Sequence, residues 1–138
     1  MMNKRSATTG ITVQLDTDFA TALDLVTAAL KAEGFGVLTE IDVKETLKQK
    51  LDVEFRPYKI LGACNPPLAY RALQAAPEVG MLLPCNVTVS QELDGKMLIS
   101  IVDPIMLAEF AGDGRLTDVA AEAETRLRRV ADAIRAER

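Results

Sequence analysis

Two Cys-Asn pairs, Cys64-Asn65 and Cys85-Asn86, are the residues of this chain best equipped for chemistry. A thiolate is a nucleophile and a soft-metal ligand, and two neighbouring thiols can form a reversible disulfide. An Asn side chain binds loop backbone or, beside thiols, lines a small-molecule pocket. These are the only two cysteines among 138 residues, and the chain has no His and no Trp. Without His, one chain supplies no Ser-His-Asp triad, no Cys-His dyad and no His-ligated metal. Two thiolates alone do not close a tetrahedral zinc site, so no metal or other cofactor is expected. The spacing is not Cys-x-x-Cys, so thioredoxin-like chemistry has no direct support.

The elements that must hold these residues follow from periodicity. Residues 57–64 are nearly all apolar after Lys59 and read as a strand ending on Cys64. Asn65-Pro66-Pro67 then starts a helix. Asn is its cap, and Pro takes the first position, where its missing N–H costs nothing. Pro77 ends this helix after about Ala76. Residues 82–91 form a strand with Leu83, Cys85, Val87 and Val89 on one face, a phase that predicts core burial for Cys85. Asp94-Gly95 makes a hairpin into the strand Met97–Val102, which Pro104 stops.

Upstream, Gly10–Leu15 alternates as a half-buried strand. Asp16 is the expected N-cap of a helix whose core face is Phe19, Leu23, Val26 and Leu30, closed by Gly34. Residues 35–41 read as a strand, and 42–50 as a short polar helix with a thin apolar edge of Val43, Leu47 and Leu51. Gly112-Asp113-Gly114 is a turn or helix entry. Leu116, Val119, Ala123, Leu127, Val130 and Ile134 then mark a long amphipathic helix. Its Arg126, Arg128, Arg129 and Arg135 lie among Glu122, Glu124 and Asp132, a solvated face of mixed charge.

The hairpin fixes one antiparallel pair, and the helix at 42–50 is too thin to cover a sheet. The prediction is therefore an α+β fold: a five-stranded, mainly antiparallel sheet with two long helices packed on one face. The order is β-α-β4-α, with short helices in the connections. Residues 1–8 read as a loose N-terminus and 9–138 as a single domain, since domains cluster at roughly 100–150 residues. A content of 49% apolar and 26% charged residues is an ordinary globular balance. Sixteen Lys and Arg against 20 Asp and Glu leave a net charge of -4, the opposite of a nucleic-acid footprint. No nucleic-acid partner is expected. No membrane partner is expected either, because no stretch approaches the roughly 20 apolar residues of a spanning helix. The Lys4-Arg5 pair is followed by no apolar core of signal-peptide length, so a cytoplasmic location with reduced thiols is the default.

Two strings, Ile60-Leu61-Gly62-Ala63-Cys64-Asn65-Pro66 and Leu83-Pro84-Cys85-Asn86-Val87, stand out together with residues 34–42 upstream. On these strings the chain resembles the bacterial and archaeal domain-of-unknown-function family 302, from about Ile11 to Ile134. The resemblance implies a TATA-box-protein-like arrangement of one helix, a curved antiparallel sheet and a second long helix. It also implies a homodimer of small cytoplasmic domains. It brings no activity with it.

If 57–64 and 82–91 pair antiparallel, the end of one abuts the start of the other and Cys64 neighbours Cys85. A parallel pairing separates them by a strand length, near 20 Å. Cys64 precedes a helix start, where unpaired N–H groups act as about half a positive charge and stabilise a thiolate. The plainer alternative is a small apolar residue closing a strand. Glu40 and Asp42 are a carboxylate pair suited to acid–base work, but a loop acid and a helix cap weigh more. Gly34-x-Gly36 lacks the helix that a phosphate-binding loop requires.

Three functions stay in play, and the balance leans away from an enzyme. The first is a non-catalytic homodimeric module binding a small ligand near Cys64, Asn65, Cys85 and Asn86. The second is a thiol redox or peroxide-reactive protein in which Cys64 reacts and Cys85 resolves. The third is a structural or partner-interaction domain.

Overall fold

Alternation sets the two faces of the sheet. In the computed structural model, which describes residues 10–112 and 114–137, β1 (Gly10–Leu15) buries Ile11, Val13 and Leu15 and exposes Thr12 and Gln14. The terminus expected at 1–8, and Asp113 of the expected Gly-Asp-Gly turn, lie outside the described residues. The other strands are β2 (Gly36–Asp42), β3 (Tyr58–Cys64), β4 (Cys85–Gln91) and β5 (Met97–Val102). Among the described residues they form one sheet in the order β1-β5-β4-β3-β2, every neighbouring pair antiparallel. Rows of apolar side chains cross it, Ile11–Ile101–Val87–Leu61 and Val13–Ile99–Val89.

The helices are α1 (Phe19–Ala32), α2 (Val43–Leu51), α3 (Pro66–Ala75), α4 (Ile105–Ala111) and α5 (Thr117–Ala136), with a 3-10 turn at Pro77–Leu82. α1 and α5 pack on each other and bring Val26, Leu30, Leu127, Val130 and Ile134 into the same core as the apolar rows. Each such fully buried side chain contributes about 1.5–3 kcal/mol relative to exposure. This is the α+β architecture that the sequence predicts. The other face carries Thr12, Thr88, Leu98, Ser100 and Val102, half-buried or exposed, as an antiparallel sheet permits. Arg135 Nη2 donates to Thr12 O at 3.3 Å, covering the β1 edge. The β2 edge is interrupted at Leu38, the extra residue of a bulge between Val37 and Thr39.

Local chemistry shifts several expected boundaries. Asp18, not Asp16, caps α1: Thr21 N donates to its Oδ1 at 2.7 Å. The strand expected from residue 35 starts at Gly36, because helix closure claims Phe35. Gly34, at φ 86°, donates to Lys31 O, and Phe35 N donates to Leu30 O. This is a Schellman closure, with Phe35 and Leu30 buried together. The strand expected from residue 82 starts at Cys85, because Leu82 ends the 3-10 turn and Leu83 N donates back to Gly80 O. α4 was not anticipated. It follows the same grammar as the Asn65-Pro66 start: Asp103 Oδ1 accepts from Ile105 N at 3.0 Å, across Pro104.

Candidate functional site

The β3–β4 register sets Ala63 opposite Cys85, and β2–β3 sets Cys64 opposite Gly36. Both cysteines thus stand at one end of the sheet, and both line one cavity of about 300 Å³. They are free thiols, with no disulfide between them. α3 supplies Leu68, Ala69, Ala72 and Leu73 to the walls, and the β2 bulge supplies Leu38 and Thr39. Leu83 and Pro84 precede β4, and Leu107, Val119 and Ala123 come from α4 and α5. Leu38 and Leu73 are exposed, which marks the mouth.

Asn65 fastens this end of the molecule. Its Oδ1 accepts from Leu68 N at 3.2 Å and its Nδ2 donates to Glu33 O at 3.3 Å, tying the start of α3 to the end of α1. Gly34 must be a glycine here for two reasons. Its φ is positive, and a Cβ would lie 2.9 Å from Asn65 Nδ2. Gly62 meets a similar demand in β3. A Cβ there would collide with Thr39 Oγ1 and stand 2.7 Å from Pro84 Cγ, so its absence lets the bulge and the loop settle onto the strand.

The first four positions of α3 offer Cys64 no free N–H, contrary to expectation. Pro66 and Pro67 have no N–H, Leu68 N is spent on the Asn65 side chain, and Ala69 N donates to Asn65 O at 2.9 Å. The proline pair that announces the helix also strips its first turn of donors. At Cys85, burial pushes the thiol from the ordinary 9.0 up to about 11, with a smaller push from Cys64. Of the four residues proposed from sequence, Cys64, Asn65 and Cys85 line the cavity. Asn86 does not. It pairs with Gly62, one residue out of phase with Cys85, and is exposed on the other face of the sheet.

The Glu40 and Asp42 carboxylates are engaged elsewhere. Glu40 Oε2 accepts from Lys59 Nζ at 2.6 Å, and that bond holds the Lys59 ammonium above its ordinary range. Asp42 Oδ1 accepts from Glu45 N at 2.9 Å and caps α2. No Asp, Glu, Lys or Arg among the described residues lines the cavity. Among the described residues, no group of three or more His, Cys, Asp or Glu is placed to hold a metal ion, and no helix is long and apolar enough to cross a membrane. Sequence reasoning named none of the apolar wall, and among the residues it missed are Leu38, Thr39, Leu73, Leu107 and Val119. The bulge and α4 place three of them, and neither leaves a periodic signal.

A one-sided antiparallel sheet, two long helices on its buried face and an apolar cavity where α3 meets the sheet define a small α+β domain class. The family model described as "Domain of unknown function DUF302" matches residues 11–134, and the chain belongs to that family. A crystal structure of an uncharacterized conserved DUF302 protein from Bacillus stearothermophilus is similar at 37% identity and a TM-score of 0.83. The match covers 91% of this chain and 98% of that one. No curated protein matches the chain.

Proposed function

We propose that this protein is a non-catalytic, homodimeric module that binds a small molecule in the cavity beside Cys64 and Cys85. The observation that carries the ligand reading is the cavity itself. At about 300 Å³ it reaches the lower end of ligand-pocket sizes, it opens to solvent at Leu38 and Leu73, and its wall draws on six separate elements. A preformed space shared by so many elements costs packing, and core packing normally removes it. Native mass spectrometry and thermal shift against a fragment panel test this reading. Binding that stabilises the native chain and is lost when Ala69→Leu narrows the space is the expected result. Binding indifferent to that substitution removes the reading.

The homodimer draws support from the half-apolar sheet face and from edges already occupied, one by Arg135 and one by the bulge. Thiol redox chemistry is the second reading, favoured by two free cysteines on one cavity. Against it, a Cys85 thiol near 11 leaves about one molecule in ten thousand ionised at neutral pH, a poor resolving nucleophile.

A further inference from the structure

We propose that the group entering this cavity is an uncharged hydrocarbon of about bicyclic-aromatic size, seated against Cys64 and Cys85, with any polar part of the molecule left at the Leu38–Thr39 rim. The proposal deepens the ligand-binding reading above and rests on it. Three independent features of the wall lead to it.

The first is the donor inventory. A helix start facing a cavity ordinarily recruits a carboxylate or phosphate through free N–H groups. Here the first two residues of α3 are prolines, and the next two N–H groups are already bonded to Asn65. Asn65, which touches the cavity, has one amide N–H committed to Glu33 O and its oxygen to Leu68 N. The second feature is charge. Among the described residues no cationic side chain lines the space. An inserted anion would lose its water and gain no counter-charge, with only weak or peripheral donors (two thiols, the Thr39 hydroxyl, one Asn65 N–H) in return. The third is size. An apolar cavity of about 150 Å³ accepts benzene, and this one is about twice as large.

The two sulfurs fit the same ligand. A protonated thiol behaves as a small polarisable hydrophobe, and sulfur makes favourable contacts with the edges of aromatic rings. The one hydroxyl in the wall belongs to Thr39, exposed at the mouth, where a polar substituent keeps its water.

The test is a titration of the full chain with naphthalene, 1-naphthol and 1-naphthoate, followed by amide chemical shifts. Ala69→Leu narrows the space from within. Leu73→Trp covers the mouth from an exposed position and does not disturb the core. The expected result is that naphthalene and naphthol bind at least about tenfold tighter than naphthoate. Both variants should weaken them by a similar factor while keeping the native spectrum. If naphthoate binds as tightly as naphthalene and both variants weaken it, the ligand class is overturned and the site stands. If none of the three binds while fragments still bind in an Ala69-sensitive way, the ligand class again falls alone. If binding is unchanged in both folded variants, the cavity reading falls with it.

Discussion

Asn65 shows how much of a family string is architecture. One amide caps α3 and holds the last turn of α1, and both bonds are sheltered from solvent. Asn65→Ala is expected to cost about 1–2 kcal/mol in urea unfolding, from the lost cap and one of the two bonds to Glu33 O, which Arg126 Nη1 still satisfies. Asn65→Asp keeps the cap acceptor and should fall between the two. At Cys85 the prediction concerns pH. The folded thiol holds its proton to about 11, whereas an exposed one loses it near 9.0, so the native state binds more protons across that window. Stability from this group is complete below about pH 9 and is lost as pH rises through about 11, by at most roughly 2–3 kcal/mol. Unfolding free energies of Cys85→Ala measured over the same range should lack that part of the slope. A slope identical in both proteins would remove the argument. The inward facing of Cys85 was legible in its phase with Val87 and Val89, but only those two are fully buried; the cavity leaves Cys85 half-buried rather than in the core. The silent helix start beside Cys64 was within reach as well, because Pro66 and Pro67 carry no N–H and the Asn65 cap takes Leu68 N; the expectation of an electropositive start counts donors that this sequence does not have.

At the scale of elements, α2 is the exception. It has nine residues and buries none of them, yet isolated helices shorter than about 12–15 residues are marginal in water. What holds it is local: the Asp42 cap, the Lys48 contacts with Asp52 and Glu54, and the Gln49–Glu45 bond. Gln49→Pro should therefore lower global stability by less than about 1 kcal/mol, since the helix can unravel alone. Arg128→Pro in α5 should cost at least about 3 kcal/mol. Amide exchange completes the check, and slow exchange throughout α2 would contradict the reasoning. The long helices and β1, β4 and β5 were readable because their apolar periods extend over several turns or pairs, and β3 because it is a continuous apolar run. β2 buries no residue and was placed by its position between a helix end and a helix cap. α4 and the 3-10 turn are too short to establish a period. The Leu38 bulge inserts one residue without changing composition, so nothing in a linear pattern announces it.

For the whole molecule, the sequence conveys the class of fold and which face of each strand is buried. It does not convey what the other face is for, because alternation distinguishes buried from less buried and no more. Tyr58, Ile60, Leu98 and Val102 leave that face half-apolar. The homodimer proposed through it predicts a mass of twice the 15.0 kDa chain in light scattering at micromolar concentration. Thr88→Arg, near the middle of that face, should yield a folded monomer. A wild-type monomer, or a Thr88→Arg dimer, removes this part of the proposal.

Gly62 has a consequence for how such a protein can change over time. The space a Cβ needs is held jointly by Thr39 on β2 and Pro84 before β4, so the three positions are coupled without forming a bond. Gly62→Ala alone should cost roughly 1–3 kcal/mol by overpacking, and Thr39→Ala should return more than half of that loss when the two are combined. Simple additivity in that cycle would show the positions to be independent. If they are coupled, the order of substitution is constrained. Position 39 must shrink, and the Pro84 ring give way, before position 62 can grow, and lineages that took the steps in reverse would pass through a destabilised intermediate.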